Sequence, residues 1–422
     1  MTTERTQSKI KFVGLHAHSV AGSIFDALGF PQEHMDFAYQ NGMDALALTD
    51  HGNQNGLAYQ VLHAKKMKAE GKDFKPIFGC EAYFIPSVDE WKEEYDQTML
   101  DKKRARAAKK AGASGATVED EGASKGKNNS ILRSRRHLVL LAQNQKGLNN
   151  LFKLVSESYK DENFYRYPRM DYKMLKEHGE GIIASSACLG GVYAGNYWEN
   201  RDESPEAVLE AMRETTRRMI DVFGDRWHGE IQWNNVPEQH ELNKFVIQVC
   251  DEFGVKVIST ADSHYPNRDA WKDRELYKRL GWLGKGKPQW ADSESELPIS
   301  VDEIGYELYP KNGDEMWESY KNYSQMCKTN YDDDLVLNSI EETHRIAFDR
   351  IENFLPDNTV RLPSFVVPAG NTATEALIKF SIEGLNKLGF ADNTDYLARL
   401  KHELNVIDDR GFSKYFLTMK AI

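Results

Sequence analysis

Histidine and carboxylate residues recur in the first two thirds of the sequence, as closely spaced pairs beside short apolar runs. His16 and His18 stand two residues apart in GLHAHS, and Asp262 and His264 repeat that spacing in STADSH. Side chains two residues apart on a strand point to the same side of a sheet, so each pair can serve one site. Imidazole, carboxylate and thiolate groups bind metals, so the pattern favours a metal centre. The candidate ligands are His16, His18, Asp26, His51, Glu81, His137, Cys188, Asp262 and His264.

The number of candidate ligands indicates more than one ion. A single ion takes about four to six ligands, so nine suit two or three divalent ions that share some of them. The mixed ligand set admits zinc, manganese or iron. Adjacent ions lower the pKa of a water molecule toward neutrality and hold phosphate oxygens, which predicts hydrolysis of phosphoesters.

Most histidines do not fit this pattern. Five of the twelve lie near predicted strand edges, beside Asp, Glu or another His. A lone histidine is more often structural than a ligand, and a buried free cysteine such as Cys188 is usually inert on its own. We therefore expect surface or packing roles for the other seven, which are His34, His63, His178, His228, His240, His344 and His402.

Short apolar runs that alternate with amphipathic stretches predict the elements that position these ligands. Strands that alternate with helices imply a parallel sheet, and seven such units suit a β/α barrel with its chemistry at the carboxyl ends of the strands. The fold class expected is therefore α/β. The predicted strands are 11–16, 44–49, 76–84, 137–142, 181–185, 229–233 and 255–260. The predicted helices are 31–41, 56–70, 146–159, 204–223 and 237–253.

Residues 87–130 interrupt this alternation. The segment is charged and then rich in Ala, Gly, Ser and Lys, which favours a solvated, partly flexible insertion. Between residues 101 and 136 there are eleven Lys and Arg against four Asp and Glu, so a basic arm that touches phosphates is the alternative. The basic candidates for DNA contact are Lys102, Lys103, Arg104, Arg106 and Arg133–Arg136.

The character of the sequence changes after about residue 270, where helices are predicted over 336–351, 372–388 and 394–408. We expect a barrel domain over 1–270 and a mostly helical α+β segment over 271–422. Three consecutive aspartates, Asp332 to Asp334, precede the first of these helices and are expected to cap it rather than to bind metal.

Composition excludes several classes of protein. No apolar run approaches the length of a membrane span, and the polar start lacks the apolar stretch of a signal peptide. Four scattered cysteines without CxxC spacing favour a reducing cytoplasm over a disulfide framework. A net charge of −11 argues against a protein that simply coats nucleic acid, although not against an enzyme that acts on it.

The motifs HAHS, TDHG, GCEAYF, RRHLVLLA, SSACLGG and ADSH, in this order, resemble the PHP (polymerase and histidinol phosphatase) domain. Longer segments, HLVLLAQNQKGLNNLFKLVSESY and FYRYPRMDYKMLKEHGEGIIASSACLGG, are similar to the PHP domain of bacterial DNA polymerase III alpha subunits. The segments VLNSIEETHRIAF, RLPSFVVPAGNTATEALIKFSIEGLNKLGF and LARLKHELNVIDDRGFSKYFLTMKAI resemble the start of that family's polymerase module. The resemblance covers nearly the whole chain apart from 87–130.

The resemblance implies a distorted (β/α)7 barrel that holds three metal ions. His16, His18, Glu81 and Asp262 would form one site, Asp26, His51 and His264 a second, and Glu81, His137 and Cys188 a third. Glu81 would bridge two of the sites, and Asp50 would orient His51 or a water molecule. Asp26 lies one residue further from His18 than the acidic ligand usual in the family.

With all nine positions filled, the resemblance implies a metal-dependent 3′→5′ exonuclease in DNA replication, with His16, His18, Glu81, Asp262 and His264 as catalytic residues. The family's glycine-rich GRGSAAGS stretch and paired polymerase aspartates do not occur before Ile422, so this chain alone is not expected to polymerise DNA. The expected partners are DNA, the remaining polymerase half and other replisome subunits. Two alternatives stay open: a stand-alone phosphoesterase of the histidinol phosphatase type, and a non-catalytic, metal-stabilised scaffold.

Overall fold

A computed structural model describes residues 5–110, 134–282, 301–359 and 365–421 of the chain. The chain forms two compact units, Met1–Pro356 and Asp357–Ile422. The boundary expected between residues 270 and 271 falls inside the first unit. The division into a barrel domain and a polymerase-like segment at that point stays a prediction. No helix among the described residues has the length and apolar character needed to cross a membrane.

Eight strands form the curled sheet of the first unit: β1 (Ala45–Leu48), β2 (Lys75–Phe84), β3 (Arg136–Ala142), β4 (Phe164–Tyr165), β5 (Tyr167–Met170), β6 (Ile182–Ser185), β7 (Trp227–Gln232) and β8 (Lys256–Thr260). Their order in the sheet is β4-β5-β2-β3-β6-β7-β8, with β1 beside β2. All four residues of β1 are buried, as expected for a strand covered on both faces. The α/β class is confirmed, and the strand pair β4 and β5 was not predicted.

The sheet is mixed, which corrects the expectation of a parallel sheet. Strand β3 runs antiparallel to both β2 and β6. The parallel pairs are β1 with β2, β5 with β2, β7 with β6, and β8 with β7. The register pairs Phe84 with Arg136, so the end of β2 lies beside the start of β3. The chain therefore leaves β2 and enters β3 at the same end of the sheet. Antiparallel strands can be connected in this way, whereas parallel strands need a crossover to the opposite end.

The strand expected at residues 11–16 is replaced by single paired residues. Gly14 pairs with Leu46 of β1, and Ala17 pairs with Ser263 just after β8. The Gly14 carbonyl accepts the Ala47 N–H at 2.8 Å, and the His18 N–H donates to the Ser263 carbonyl at 2.7 Å. We call residues 12–18 the closing segment, because it joins β1 to the end of β8.

The helices of the first unit surround this sheet. The described helices are α1 (Pro31–Gln40), α2 (Leu57–Ala69), α3 (Val88–Lys110), α4 (Gln145–Ser158), α5 (Tyr172–His178), α6 (Val192–Asn200), α7 (Pro205–Phe223), α8 (Pro237–Phe253), α9 (Trp271–Trp282), α10 (Val301–Ile304), α11 (Gly313–Met326) and α12 (Asp333–Arg345), which continues as a π-helical turn (Ile346–Arg350). The five helices predicted in the first two thirds of the chain are confirmed within one or two residues. Helices α5 and α6 were missed because they are too short for a clear periodicity.

Helix α3 occupies the first part of the expected flexible insertion. Trp91 is buried and packs with Val88 and Ile85, with Tyr95 against them, so the first turns of the helix have an apolar face. The Val88 N–H also donates to the Asp171 carboxylate at 2.9 Å. Apolar residues at helical spacing therefore fix the start of a segment that its composition had marked as flexible. The rest of the predicted insertion, from residue 111 on, lies outside the described residues.

Two apolar layers cover the sheet. Alternate residues of β1 belong to different clusters, with Ala45 and Ala47 on one face and Leu46 and Leu48 on the other. The first face encloses a small core that the π-helical turn caps through Ile346 and Ala347. The second face packs against the surrounding helices.

The acidic run before α12 has the capping role expected of it. The Asp332 carboxylate accepts the backbone N–H groups of Asp334 and Leu335 at 2.8 and 3.4 Å. The helix begins at Asp333, three residues before the predicted start, because the aspartates form its first turn.

The second unit contains the helices α13 (Ala373–Leu388), α14 (Thr394–Asp409) and α15 (Ser413–Ala421). Its buried residues are few, with Ala376, Leu377 and Leu417 at the centre. A capping box joins Thr372 and Glu375 at the start of α13, and Gly389 in the left-handed region (φ 77°) ends it. The two helices predicted here are confirmed within one residue.

A buried histidine outside the candidate site should make stability depend on pH. His228 in β7 is fully buried, and burial together with the nearby Arg350 lowers its pKa to about 4. Between pH 6.5 and 4, His228 is protonated in the unfolded chain but stays neutral in the folded chain. The free energy of unfolding therefore decreases as pH falls through this range. From pH 7 to pH 5 we expect wild type to lose about 2 kcal/mol more unfolding free energy than His228→Asn in urea titrations. Parallel losses in the two proteins would contradict this.

Candidate metal centre

The closing segment brings His16 and His18 to the buried end of the sheet. The His16 Nε2 lies 3.2 Å from Glu81 Oε1 and 3.2 Å from Asp262 Oδ1. The His18 Nε2 lies 3.2 Å from the same Asp262 oxygen. Both imidazoles are fully buried, so the two-residue spacing delivers them side by side to one acidic cluster.

Glu81, in the middle of β2, is the centre of the cluster. Its side chain is fully buried, and four imidazoles surround its carboxylate. The nearest nitrogens are those of His51 at 2.6 Å, His137 at 3.0 Å, His16 at 3.2 Å and His18 at 3.5 Å. A carboxylate placed in this way can bridge two ions, which is the role that the family resemblance implies for Glu81.

Asp26 joins the cluster from the loop before α1. Its Oδ2 lies 3.1 Å from His51 Nε2 and 3.5 Å from His264 Nε2. The rings of His51 and His264 both lie close to that of His18, at 4.2 and 4.4 Å between centroids. The longer spacing from His18 therefore still leaves Asp26 facing the histidines with which it was grouped.

His137 and Cys188 complete the set on the far side of Glu81. The Cys188 Sγ lies 3.7 Å from His137 Nδ1 and 3.9 Å from Glu81 Oε1. Cys188 follows β6, and the turn that carries it needs a close backbone approach, since a Cβ on Gly191 would lie 2.0 Å from the Ser186 carbonyl. All nine residues predicted from the sequence thus lie in one cluster.

Several buried polar atoms of the cluster suit a metal ion. Neighbouring atoms among them lie 2.6 to 3.5 Å apart, yet among the described residues none of them has a partner in hydrogen-bonding geometry. A buried polar atom without a hydrogen bond costs free energy. The atoms are His16 Nε2, His18 Nε2, His51 Nδ1, Glu81 Oε2 and Asp262 Oδ1. Three sets of three ligand atoms lie within 4.8 Å of one another: His18, His51 and His264; His16, His18 and Glu81; and His51, Glu81 and His137. This donor set fits divalent metal ions.

Hydrogen bonds fix which nitrogen of three imidazoles faces the cluster. The Nδ1 of His16 lies 2.7 Å from the Glu230 carboxylate, and that of His264 lies 2.7 Å from the Asp262 carbonyl. The Nδ1 of His18 lies 3.2 Å from the Ser23 hydroxyl. With the proton on Nδ1 in each ring, Nε2 is left as an acceptor for metal.

The carboxylates shift the acid–base behaviour of the buried histidines in different directions. Burial lowers the pKa of His16, but the surrounding carboxylates, led by Asp262, outweigh it and hold the pKa well above the usual value. The pKa of His18 is well below the usual value, because burial and the imidazoles of His51 and His264 act together. Adjacent imidazoles thus differ strongly in proton affinity, as at many functional sites.

The pKa values of three other candidate ligands also lie outside their ordinary ranges, for similar reasons. Burial acts against the charged form of His51, yet Glu81 and Asp26 raise its pKa to about 10. Burial would raise the pKa of Glu81, but the imidazoles around it, led by His137, hold the pKa well below its usual range. Burial, with the nearby carboxylates, raises the pKa of the Cys188 thiol. Divalent cations would compete with protons for several of these groups.

Two buried residues of the site were missed. Glu230 in β7 contacts His16, and Arg274 in α9 donates to the Asp26 carboxylate at 2.8 Å and to its carbonyl at 2.7 Å. An acidic residue at the centre of the apolar run WHGEIQ was the available signal for Glu230. Nothing in the sequence around Arg274 marked it, because the contact joins residues 248 positions apart.

Asp50 reaches His51 through Ser23, whose hydroxyl accepts the backbone N–H of His51 at 3.2 Å, so its expected role in orienting His51 or a water molecule stays a prediction. Its carboxylate accepts the N–H and hydroxyl of Ser19 at 2.7 and 2.9 Å and the Ser23 hydroxyl at 2.9 Å. Because Ser23 also meets the His18 ring, Asp50 acts on His18 through that serine.

Several of the remaining histidines and of the basic candidates have partners outside this cluster. His34 and His240 are buried and bond to backbone carbonyls, and His63 pairs with Asp36 at 2.8 Å. Of the basic candidates, Arg136 is engaged with Glu199 and Asn196, and Arg135 lies over the Tyr167 ring at 4.2 Å. Arg133 lies outside the described residues.

Comparison with known proteins identifies the relatives of this chain. The PHP domain family matches residues 14–234, more than half of the chain. The DNA polymerase III subunit alpha of Aquifex aeolicus is 32% identical over 413 residues, which cover 97% of this chain and 31% of the relative. That of Thermus aquaticus is 29% identical over 384 residues, which cover 90% of this chain and 26% of the relative. The chain thus spans between a quarter and a third of the length of these relatives.

A solved amidohydrolase from Chromobacterium violaceum is 14% identical, with a TM-score of 0.32 over 63% of this chain and 96% of that one. The sequence matches confirm the resemblance predicted from the ligand motifs and from the later helical segments. The chain belongs to the PHP domain family and is similar over nearly its whole length to bacterial DNA polymerase III alpha subunits.

Proposed function

We propose that this chain is the first part of a DNA polymerase III alpha-like replicative protein, and that its PHP domain hydrolyses DNA phosphodiesters from the 3′ end. The observation that carries the hydrolytic proposal is the convergence of five buried ligand atoms without hydrogen-bond partners on one cluster. Such atoms are costly in a protein without metal and are satisfied when divalent ions bind.

Three groups of residues would hold the ions. His16, His18, Glu81 and Asp262 would hold one; Asp26, His51 and His264 a second; and Glu81, His137 and Cys188 a third. Zinc, manganese and iron all suit these ligands. When bound, the ions supply Lewis-acid stabilisation of phosphate oxygens and a lowered pKa for an attacking water.

The protein's own groups prepare this chemistry. Three imidazoles are held with Nε2 toward the cluster by their Nδ1 contacts, so the ligands need little reorganisation. Arg274 holds Asp26 by two hydrogen bonds and so restrains the most exposed carboxylate of the set, which is 40% exposed. In this proposal His16, His18, Glu81, Asp262 and His264 line the reacting phosphate.

The similarity beyond residue 270 favours a polymerase-associated role over a small-molecule phosphatase. The match to the Aquifex aeolicus relative covers 97% of the chain, so it includes helices that a phosphatase would not need. We propose DNA and other replisome subunits as partners and the cytoplasm as the location. DNA synthesis is assigned only to a protein that also supplies the part of the relatives that this chain does not span.

The test combines elemental analysis with a nuclease assay. Purified protein should carry at least one equivalent of zinc, manganese or iron and should shorten a 5′-labelled single strand from its 3′ end. A strand with a blocked 3′ end should resist, and a chelator should stop the reaction. Release of phosphate from histidinol phosphate without action on DNA would favour the phosphatase alternative, and bound metal without any hydrolysis would favour the scaffold.

A further inference from the structure

Glu230 is a buried carboxylate beside the candidate metal centre, and its hydrogen bonding differs from that of the candidate ligands. Only 2% of the residue is exposed. Its Oε1 accepts from the Thr260 hydroxyl at 2.6 Å and the Gln232 amide at 3.1 Å, and its Oε2 accepts from the Ser185 hydroxyl at 2.6 Å. The His16 Nδ1 lies 2.7 Å from the same Oε1.

The contrast with Glu81 and Asp262 separates two roles. Each of those carboxylates has a buried oxygen without a hydrogen-bond partner, as a metal ligand should. Both oxygens of Glu230 are satisfied by protein donors, so they have little capacity left for an ion. Glu230 is therefore suited to hold a ligand in place rather than to be one.

We propose that Glu230 is a positioning residue for His16: its carboxylate holds the imidazole with the proton on Nδ1, and so presents Nε2 to the metal. The inference rests on the proposed metal centre. A carboxylate that accepts the outer N–H of a metal-binding histidine fixes the ring and strengthens it as a ligand.

The donors to Glu230 also tie this contact to the sheet. Ser185 ends β6 and Thr260 ends β8, while Glu230 and Gln232 lie on the strand between them. His16 lies in the closing segment, which in the described part of the chain pairs with the sheet through single residues. One carboxylate therefore links three neighbouring strands to the segment that carries two candidate ligands.

The variants Glu230→Gln and Glu230→Ala test the proposal through metal affinity. The glutamine keeps the size of the side chain and an acceptor for His16 but loses the charge, whereas alanine removes both. We expect Zn²⁺ binding, measured by competition with a chromophoric chelator, to weaken about tenfold in Glu230→Gln and up to about 100-fold in Glu230→Ala. The visible absorption of the Co²⁺-loaded protein should shift in both, because the geometry around His16 changes.

A second buried carboxylate provides the control. Glu342 in α12 is 4% exposed and bonds to Lys256 at 2.7 Å and Arg345 at 2.6 Å, away from the cluster. Glu342→Gln should lower stability in urea but leave Zn²⁺ affinity and the Co²⁺ spectrum unchanged.

The outcomes separate this inference from the proposed function. If wild type binds Zn²⁺ tightly and both Glu230 variants bind it equally well, the positioning role is wrong while the metal centre stands. If wild type binds no metal, the proposed function fails instead. Should Glu230→Ala not fold, Glu230→Gln decides alone, since unchanged affinity in that variant overturns the inference.

Discussion

The double variant His16→Ala/His18→Ala is expected to lose metal-dependent DNA hydrolysis by a factor on the order of 10³ or more, while the fold persists. Removing two ligands from one site takes away several kcal/mol of transition-state stabilisation, and about 4 kcal/mol corresponds to that factor. The change also leaves the Glu81 and Asp262 carboxylates without two neighbouring imidazoles. Elemental analysis should show at least one equivalent less metal per chain.

A matched control uses two histidines from outside the cluster. His63 pairs with Asp36, and His344 packs on Phe348 with 4.5 Å between ring centroids. The double variant His63→Ala/His344→Ala should keep its metal and its hydrolysis. Circular dichroism should be native in both double variants. If His16→Ala/His18→Ala hydrolyses DNA at the full rate, the reaction takes place at another site. If that variant loses metal but the wild type itself hydrolyses no DNA, the scaffold alternative is supported.

The variant Gly147→Ala is expected to destabilise the first unit by about 3 kcal/mol, near the upper end for overpacking. Gly147 lies in the first turn of α4, and a Cβ there would lie 1.8 Å from the carbonyl oxygen of Gly181. The Gly181 carbonyl belongs to the backbone and cannot rotate away as a side chain could. The clash is therefore relieved only if α4 moves away from the start of β6. Urea titrations monitored by tryptophan fluorescence would measure the loss.

The substitution Gly384→Ala is the counterpart of this change. Gly384 lies within α13, and apart from the neighbouring backbone of its own helix, no atom of the described residues lies within 4 Å of the position of an added Cβ. Alanine there should be neutral or stabilise the second unit by up to about 1 kcal/mol, because alanine favours a helix interior. Equal stability of Gly147→Ala and wild type would mean that α4 and β6 can separate without cost.

The clustering of the candidate ligands could be predicted because the evidence for it is local. The spacing of His16 and His18, and of Asp262 and His264, follows from the alternation of side chains in extended chain, so the sequence alone placed them on one face. Predicted strand ends then located His51, Glu81 and His137. The structure brings all of these side chains together around Glu81.

Contacts between distant residues could not be predicted in the same way. Nothing local in the sequence states that Glu230 meets His16, 214 positions away, or that Arg274 meets Asp26. The antiparallel direction of β3 was also not predicted. The alternation of side chains along a strand is the same whether the strand is parallel or antiparallel to its neighbours. Helix α3 was missed because its charge and small residues outweighed a short apolar face around Trp91.

The closing segment has a consequence for how the barrel holds together. Among the described residues, isolated residue pairs close the ring of strands between β1 and β8, and the same short stretch supplies two of the candidate ligands. Any cation bound by His16, His18, Glu81 and Asp262 would therefore hold the closing segment against β2 and the end of β8. Metal occupancy and closure of the barrel are then two aspects of a single thermodynamic linkage, in which each stabilises the other by the same free energy.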